Sequence, residues 1–156
     1  VTSWFMNPDD LKEIVDSLYE MYKDKGITKV CGVESRGFII GAALAYRLGA
    51  GFILIRKPGK LPYEKVSLEY KKEYGFDCIE MHKDSITTDD TVLIHDDLLA
   101  TGGTLLAACE LVKTFKPKKV LVNCIIELTN FHAKEKFPQD CPVDSFISID
   151  EFDGVQ

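Results

Sequence analysis

At 156 residues, 46% of them hydrophobic and 28% charged, the chain has the length and balance of one globular domain, residues 1–156, that buries its own core. A net charge of −6 excludes a whole-surface interaction with nucleic acid or an anionic membrane. The longest uncharged apolar run, residues 37–46 between Arg36 and Arg47, falls well short of the roughly 20 residues that cross a bilayer, and the chain start, Val1 rather than Met, carries no signal-peptide pattern.

In chain order, Asn7-Pro8-Asp9-Asp10 predicts a helix start, with a capping Asn, a Pro at the first helical position and acids in the first turn. Leu11, Ile14, Val15, Leu18 and Tyr22 follow at helical spacing until Gly26, and Trp4 and Phe5 are placed to staple that helix. A buried strand over 29–34 and a small-residue helix over 37–48 come next. A strand over 52–56 then stops at Lys57-Pro58-Gly59. Residues 57–76 are polar, carry Tyr63, Tyr70 and Tyr74, and read as a mobile loop or a ribbon.

A buried strand over 91–95, a helix over 104–115, a long strand over 119–128, a short helix near 131–137 and a strand near 145–149 complete the chain. Strands alternating with helices imply an α/β fold, a central and mostly parallel twisted sheet flanked by helices. Ligands of such sheets bind at the carboxyl ends of the strands. The five cysteines, Cys31, Cys78, Cys109, Cys124 and Cys141, are odd in number and widely spaced, which fits neither a disulfide framework nor a zinc site. Cys31, Cys109 and Cys124 read as core residues, and a reducing, cytoplasmic setting is expected.

The most informative segment runs His95-Asp96-Asp97-Leu98-Leu99-Ala100-Thr101-Gly102-Gly103-Thr104, an apolar strand ending in two carboxylates before a Thr-Gly-Gly-Thr loop that opens a helix. Glycines let the backbone approach an anion, and a helix start offers unpaired N–H groups, so Ala100 to Thr104 form a phosphate cup. Asp96 and Asp97 would repel a bare phosphate, whereas ribose hydroxyls and a hydrated divalent metal are their natural partners. A ribose 5-phosphate satisfies both halves. A lone Asp-Asp or Gly-Gly would read as a solvated turn or a helix cap; the whole constellation between strand and helix reads as a site. Two further anion-handling loops follow strands: Glu34-Ser35-Arg36-Gly37 and Arg56-Lys57-Pro58-Gly59-Lys60, the latter a basic turn in an acidic chain.

The acid–glycine segment resembles the phosphoribosyl pyrophosphate signature of the type I phosphoribosyltransferases, and its wording is most similar to the adenine enzymes of that family. The hypoxanthine and guanine enzymes usually carry an aspartate where this chain has Ala100. The resemblance runs from about Trp4 to about Phe152 and implies magnesium as cofactor, held mainly by substrate and water with Asp96 and Asp97 nearby rather than by direct protein ligands. It implies adenine, phosphoribosyl pyrophosphate, AMP and pyrophosphate as small-molecule partners, a homodimer, and diphosphate contacts from Glu34, Ser35, Arg36, Arg56, Lys57 and Lys60 with a cis peptide near Glu34-Ser35. It further implies a catalytic loop in which Glu73 donates a proton to the purine and Tyr74 helps close the site, with Glu69-Tyr70 an alternative register, and Leu128 packed on the base or simply in the core. His95 stands where the family has an apolar residue and reads as a strand-end side chain rather than a ligand. A Pro-Gly and Phe-Arg-Asp hood segment usual in the adenine enzymes is not found before the first helix, which leaves another purine, xanthine or hypoxanthine, or a non-catalytic nucleotide-binding regulator as alternatives.

Overall fold

A computed structural model describes residues 2–72 and 74–150. Two helices, α1 (Thr2–Met6) and α2 (Pro8–Tyr22), precede the sheet. The Asn7 side chain accepts the amides of Asp9 and Asp10 at 2.9 and 3.2 Å, a cap that stabilises α2 by about 1 kcal/mol. Ile14, Val15, Leu18 and Tyr22 form the buried face of α2, and Trp4 and Phe5 pack against the same cluster, as a staple would.

The sheet contains β1 (Lys29–Val33), β2 (Gly51–Ile55), β5 (Thr91–Leu99), β6 (Lys119–Leu128) and β7 (Val143–Ile149) in the order β2-β1-β5-β6-β7, every neighbour parallel. Parallel neighbours require crossovers, and α3 (Gly37–Leu48) and α4 (Gly103–Lys113) supply two of them. Both faces are covered, which explains why the strands read as near-continuous apolar runs. On one side Val92 and Ile94 of β5 join Val120, Val122 and Cys124 of β6 under α4. On the other, Leu93, Leu121 and Ile125 meet α2 and α3. Cys31, Cys109, Cys124 and Cys141 are buried, and all five cysteines are free.

Three elements differ from the sequence expectation. The central strand β5 runs four residues past His95, through both aspartates, because β6 is long enough to continue the ladder to Leu99 opposite Glu127. Polar side chains do not end a strand whose backbone still has a partner. The polar segment is a ribbon, β3 (Lys65–Lys72) and β4 (Gly75–His82), lying further along the chain than the 57–76 expectation. Among the described residues it joins the sheet through one antiparallel bridge, Arg56 N to Glu80 O at 3.0 Å and Glu80 N to Arg56 O at 2.8 Å. The short helix near 131–137 is two 3-10 turns, Thr129–Phe131 and Ala133–Lys136, broken at His132 with φ 53°.

Candidate active site

The carboxyl end of β5 brings the two aspartates to the rim of the sheet. Asp97 is buried to 3% exposure, and the Arg36 guanidinium Nε lies 2.9 Å from its Oδ2, an ion pair from the turn before α3 to the central strand. Asp96 is half-buried, and its Oδ1 accepts the Asp97 amide at 2.8 Å. Burial and the adjoining Asp97 carboxyl push the Asp96 pKa up to about 8, only partly offset by the Asp97 amide and Arg36. Incoming hydroxyl donors or positive charge favour the ionised form of such an acid and draw its pKa back down. Gly37 lets α3 approach this end closely: a Cβ there would sit 2.9 Å from His95 O and 3.3 Å from Asp96 Cα.

His95 lies inside β5 rather than at its end. It is fully buried beside its strand partner Asn123, with Nδ1 2.8 Å from Asn123 Oδ1 and no hydrogen-bond partner for Nε2 among the described residues. Burial lowers its pKa to about 4, so it is neutral at physiological pH.

Beyond β5, Ala100 is half-buried and Thr101 exposed, and the chain turns at Gly102 with φ 89°, a conformation that favours glycine. The helix α4 then starts at Gly103 with no side-chain cap, leaving its first amides without intrahelical partners. Thr101, Gly102, Gly103 and Thr104 line a cavity of about 490 Å³, with Lys72 and Lys136 also on its wall. Lys136 Nζ donates to Thr101 O at 3.1 Å, which adds a cation beside the glycine turn.

The two basic loops are joined by one carboxylate. The peptide between Glu34 and Ser35 is cis, and Glu34 Oε1 accepts Arg56 Nε at 3.1 Å and the Lys57 amide at 2.9 Å. Burial alone would raise the Glu34 pKa; the Lys57 amide and the Arg56 guanidinium outweigh it, with help from the charge on exposed Lys60, and hold the carboxylate below its usual range. Ser35 and Arg36 are exposed, so the turn after β1 presents its polar groups to solvent beside the basic turn after β2.

The ribbon meets this site through Tyr70. Its hydroxyl lies 3.0 Å from Thr104 Oγ1 and 3.3 Å from Asp77 Oδ2, and Asp77 also holds Lys57 Nζ at 2.6 Å and Lys72 Nζ at 3.3 Å. Tyr74 is 92% exposed. Glu73 lies outside the described residues. Leu128 is buried at the carboxyl end of β6, next to Glu127, whose carboxylate accepts Lys134 Nζ at 3.2 Å and Ser148 Oγ at 3.1 Å.

The acid pair, the glycine turn, Glu34 to Arg36 and Arg56 to Lys60 thus share one end of the sheet, with Leu128 on the next strand. Sequence reasoning had Tyr70 only as part of an alternative register of the catalytic loop, and missed Asp77, Asn123, Lys134 and Lys136. A signal existed for Tyr70 and Asp77 alone: as soon as Lys72 and Gly75 are paired across a hairpin, those two fall directly opposite each other.

The family model described as "Phosphoribosyl transferase domain" matches residues 6–155. An adenine phosphoribosyltransferase of Phocaeicola vulgatus is 58% identical over 149 residues, covering 96% of this chain and 86% of that protein. Among solved structures, the adenine phosphoribosyltransferase of Rhodothermus marinus superposes with a TM-score of 0.87 at 44% identity, over 92% of this chain and 81% of that one. The enzyme of Giardia lamblia complexed with 9-deazaadenine gives a TM-score of 0.89 at 39% identity, over 95% and 84%. With sequence and fold in accord, the chain belongs to the phosphoribosyltransferase family and, within it, to the adenine phosphoribosyltransferases.

Proposed function

We propose that the chain converts adenine and phosphoribosyl pyrophosphate to AMP and pyrophosphate at the carboxyl end of β5, with magnesium carried by the diphosphate. The observation that carries this reading is the single strand–turn–helix unit in which Asp96 and Asp97 precede a bare helix start, with Arg36 reaching Asp97 from the neighbouring loop. Its kinship with the adenine phosphoribosyltransferases supports adenine as the base.

In this reading the amides and hydroxyls of residues 100–104 anchor the 5-phosphate, and binding energy remote from the reacting carbon orients it. Asp96 and Asp97 accept the ribose hydroxyls. As a purine nitrogen attacks the anomeric carbon and pyrophosphate departs, positive charge develops on the ring, and the two carboxylates beside it stabilise that charge. Arg36, Arg56, Lys57 and Lys60 neutralise the departing diphosphate, with Glu34 fixing Arg56 and the Lys57 amide in place and Ser35 completing the loop. Leu128 offers an apolar surface to the base. By sequence resemblance, Glu73 keeps the role of proton donor to the purine and Tyr74 that of closing the site.

No three His, Cys, Asp or Glu side chains gather as a metal-binding group among the described residues. Magnesium would be held chiefly by diphosphate oxygens and water, with Asp96 and Asp97 nearby. When bound it supplies positive charge to the leaving group. Ile39 and Tyr46 of α3 and Leu54 of β2 remain exposed, which supports the homodimer; sedimentation would report a mass near twice that of one chain.

The test is incubation with phosphoribosyl pyrophosphate, magnesium and each purine in turn, measuring pyrophosphate release and the nucleotide formed. AMP from adenine, with little product from hypoxanthine or xanthine, is expected. Product from another base alone would reassign the substrate, and substrate binding without turnover would make the chain a regulator.

A further inference from the structure

The proposed function treats Lys57 and Thr104 as anion-binding groups, yet both are already engaged by one carboxylate system on the ribbon. Asp77 Oδ2 receives Lys57 Nζ at 2.6 Å, Lys72 Nζ at 3.3 Å and the Tyr70 hydroxyl at 3.3 Å, while Tyr70 and Thr104 hydroxyl oxygens lie 3.0 Å apart. Counting protons settles the directions. Hydrogen bonding from Lys57 draws the Asp77 pKa down to about 2, so at neutral pH this carboxylate only accepts. Tyr70 has one proton and gives it to Asp77. Thr104 must then give its own proton to Tyr70.

Thr104 therefore spends on the ribbon the proton that a phosphate in the cup would use, and Lys57 spends there the charge that a diphosphate would use. We propose that Asp77 and Tyr70 form an internal anion clasp that couples the 5-phosphate cup to the diphosphate turn, so that filling either subsite loosens the ribbon's hold on the other. This rests on the assignment of the cup and the basic turn as phosphate and diphosphate subsites. An anion in the cup takes the Thr104 proton, the Tyr70 hydroxyl loses its bond to Thr104, and the ribbon that carries Asp77 is held less firmly against Lys57. Freed Lys57 then binds the second anion more readily. Linkage makes the effect reciprocal. Phosphoribosyl pyrophosphate carries both anions on one molecule and opens the clasp from both ends, whereas pyrophosphate alone must compete with Asp77.

The experiment is calorimetric titration of the full chain with magnesium pyrophosphate, with and without saturating ribose 5-phosphate. In the unsubstituted protein ribose 5-phosphate tightens pyrophosphate binding by about fivefold or more, the usual scale of coupling between two sites. Tyr70→Phe keeps the ring and removes the hydroxyl; the ratio of the two affinities falls to about one. Asp77→Asn tightens pyrophosphate binding on its own by severalfold, and ribose 5-phosphate then adds little. A ratio that survives Tyr70→Phe, or weaker pyrophosphate binding in Asp77→Asn, overturns the clasp. Independent binding of both ligands to the unsubstituted protein overturns the coupling while leaving the subsites intact. Failure of both ligands to bind at all removes the subsite assignment and the clasp with it.

Discussion

The carboxyl end of β5 and the β3–β4 ribbon each hold an aspartate far from its ordinary pKa, in opposite directions. Asp96 sits in a two-sided parallel sheet beside a second acid, and burial with too little compensating charge pushes it up to about 8. Asp77 lies on a two-stranded ribbon among Lys57, Lys72 and Tyr70, and the hydrogen bond from Lys57 pulls it down to about 2. The residue type is the same; the surroundings decide whether the charge is suppressed or secured. At the sheet end Asp97 has Arg36 but Asp96 is short of compensating charge, whereas the ribbon holds its acid among Lys57 and Lys72.

The strongest way to break this contrast is Asp96→Asn with Asp97→Asn. Turnover should fall by about a thousandfold or more, the scale of losing preorganised electrostatic stabilisation, while circular dichroism and melting show a folded protein. Activity within tenfold of the unsubstituted enzyme would remove both acids from the chemistry. Next in size is Gly37→Ala. Its methyl would meet the His95 carbonyl at 2.9 Å, where only backbone can yield, so denaturant unfolding should show a loss of about 1–3 kcal/mol. An unchanged midpoint would mean that α3 is not seated tightly on the end of β5.

The pH dependence of stability separates the two aspartates. Asp96 keeps its proton in the folded state after it has lost it in the unfolded chain, so it costs stability as pH rises from about 4 through about 8 and adds no further loss above that. Asp96→Asn should therefore melt a few degrees higher than the unsubstituted protein at pH 9 and show little difference near pH 4. Equal melting at both pH values would mean that the carboxyl is not held protonated. Asp77 works in the opposite sense. Its stabilisation is present above the unfolded pKa near 4 and is lost as pH falls through about 2. The Asp77→Asn variant should lose no more than about 1 kcal/mol at neutral pH, since Lys57 and Lys72 are partly solvated, and the difference should shrink as pH falls from about 4 through about 2.

Much of the sheet end was legible in the sequence because its signals are local. An apolar run buried on both faces, two acids, a Thr-Gly-Gly-Thr turn and a helical period lie within about two dozen consecutive residues, and short-range sterics place them in order. The α2 cap was legible for the same reason: Asn7 reaches amides two and three residues away. The extent of β5 was not, since whether Asp96 to Leu99 continue a strand depends on β6, more than twenty residues later. His95 looked like a strand end because its partner Asn123 is 28 residues distant.

By itself, the sequence determined the alternation of strands and helices, the positions of the glycine turn and the acid pair, and the concentration of cations after β2. Tertiary structure alone decided which charges meet: Arg36 with Asp97, Glu34 with Arg56 and the Lys57 amide, and Asp77 with Lys57 and Tyr70. Secondary structure follows from residues a few positions apart, whose geometry the chain itself constrains. Burial, ion pairing and proton affinity depend on groups brought within a few ångströms by folding, and no spacing along the chain encodes those distances.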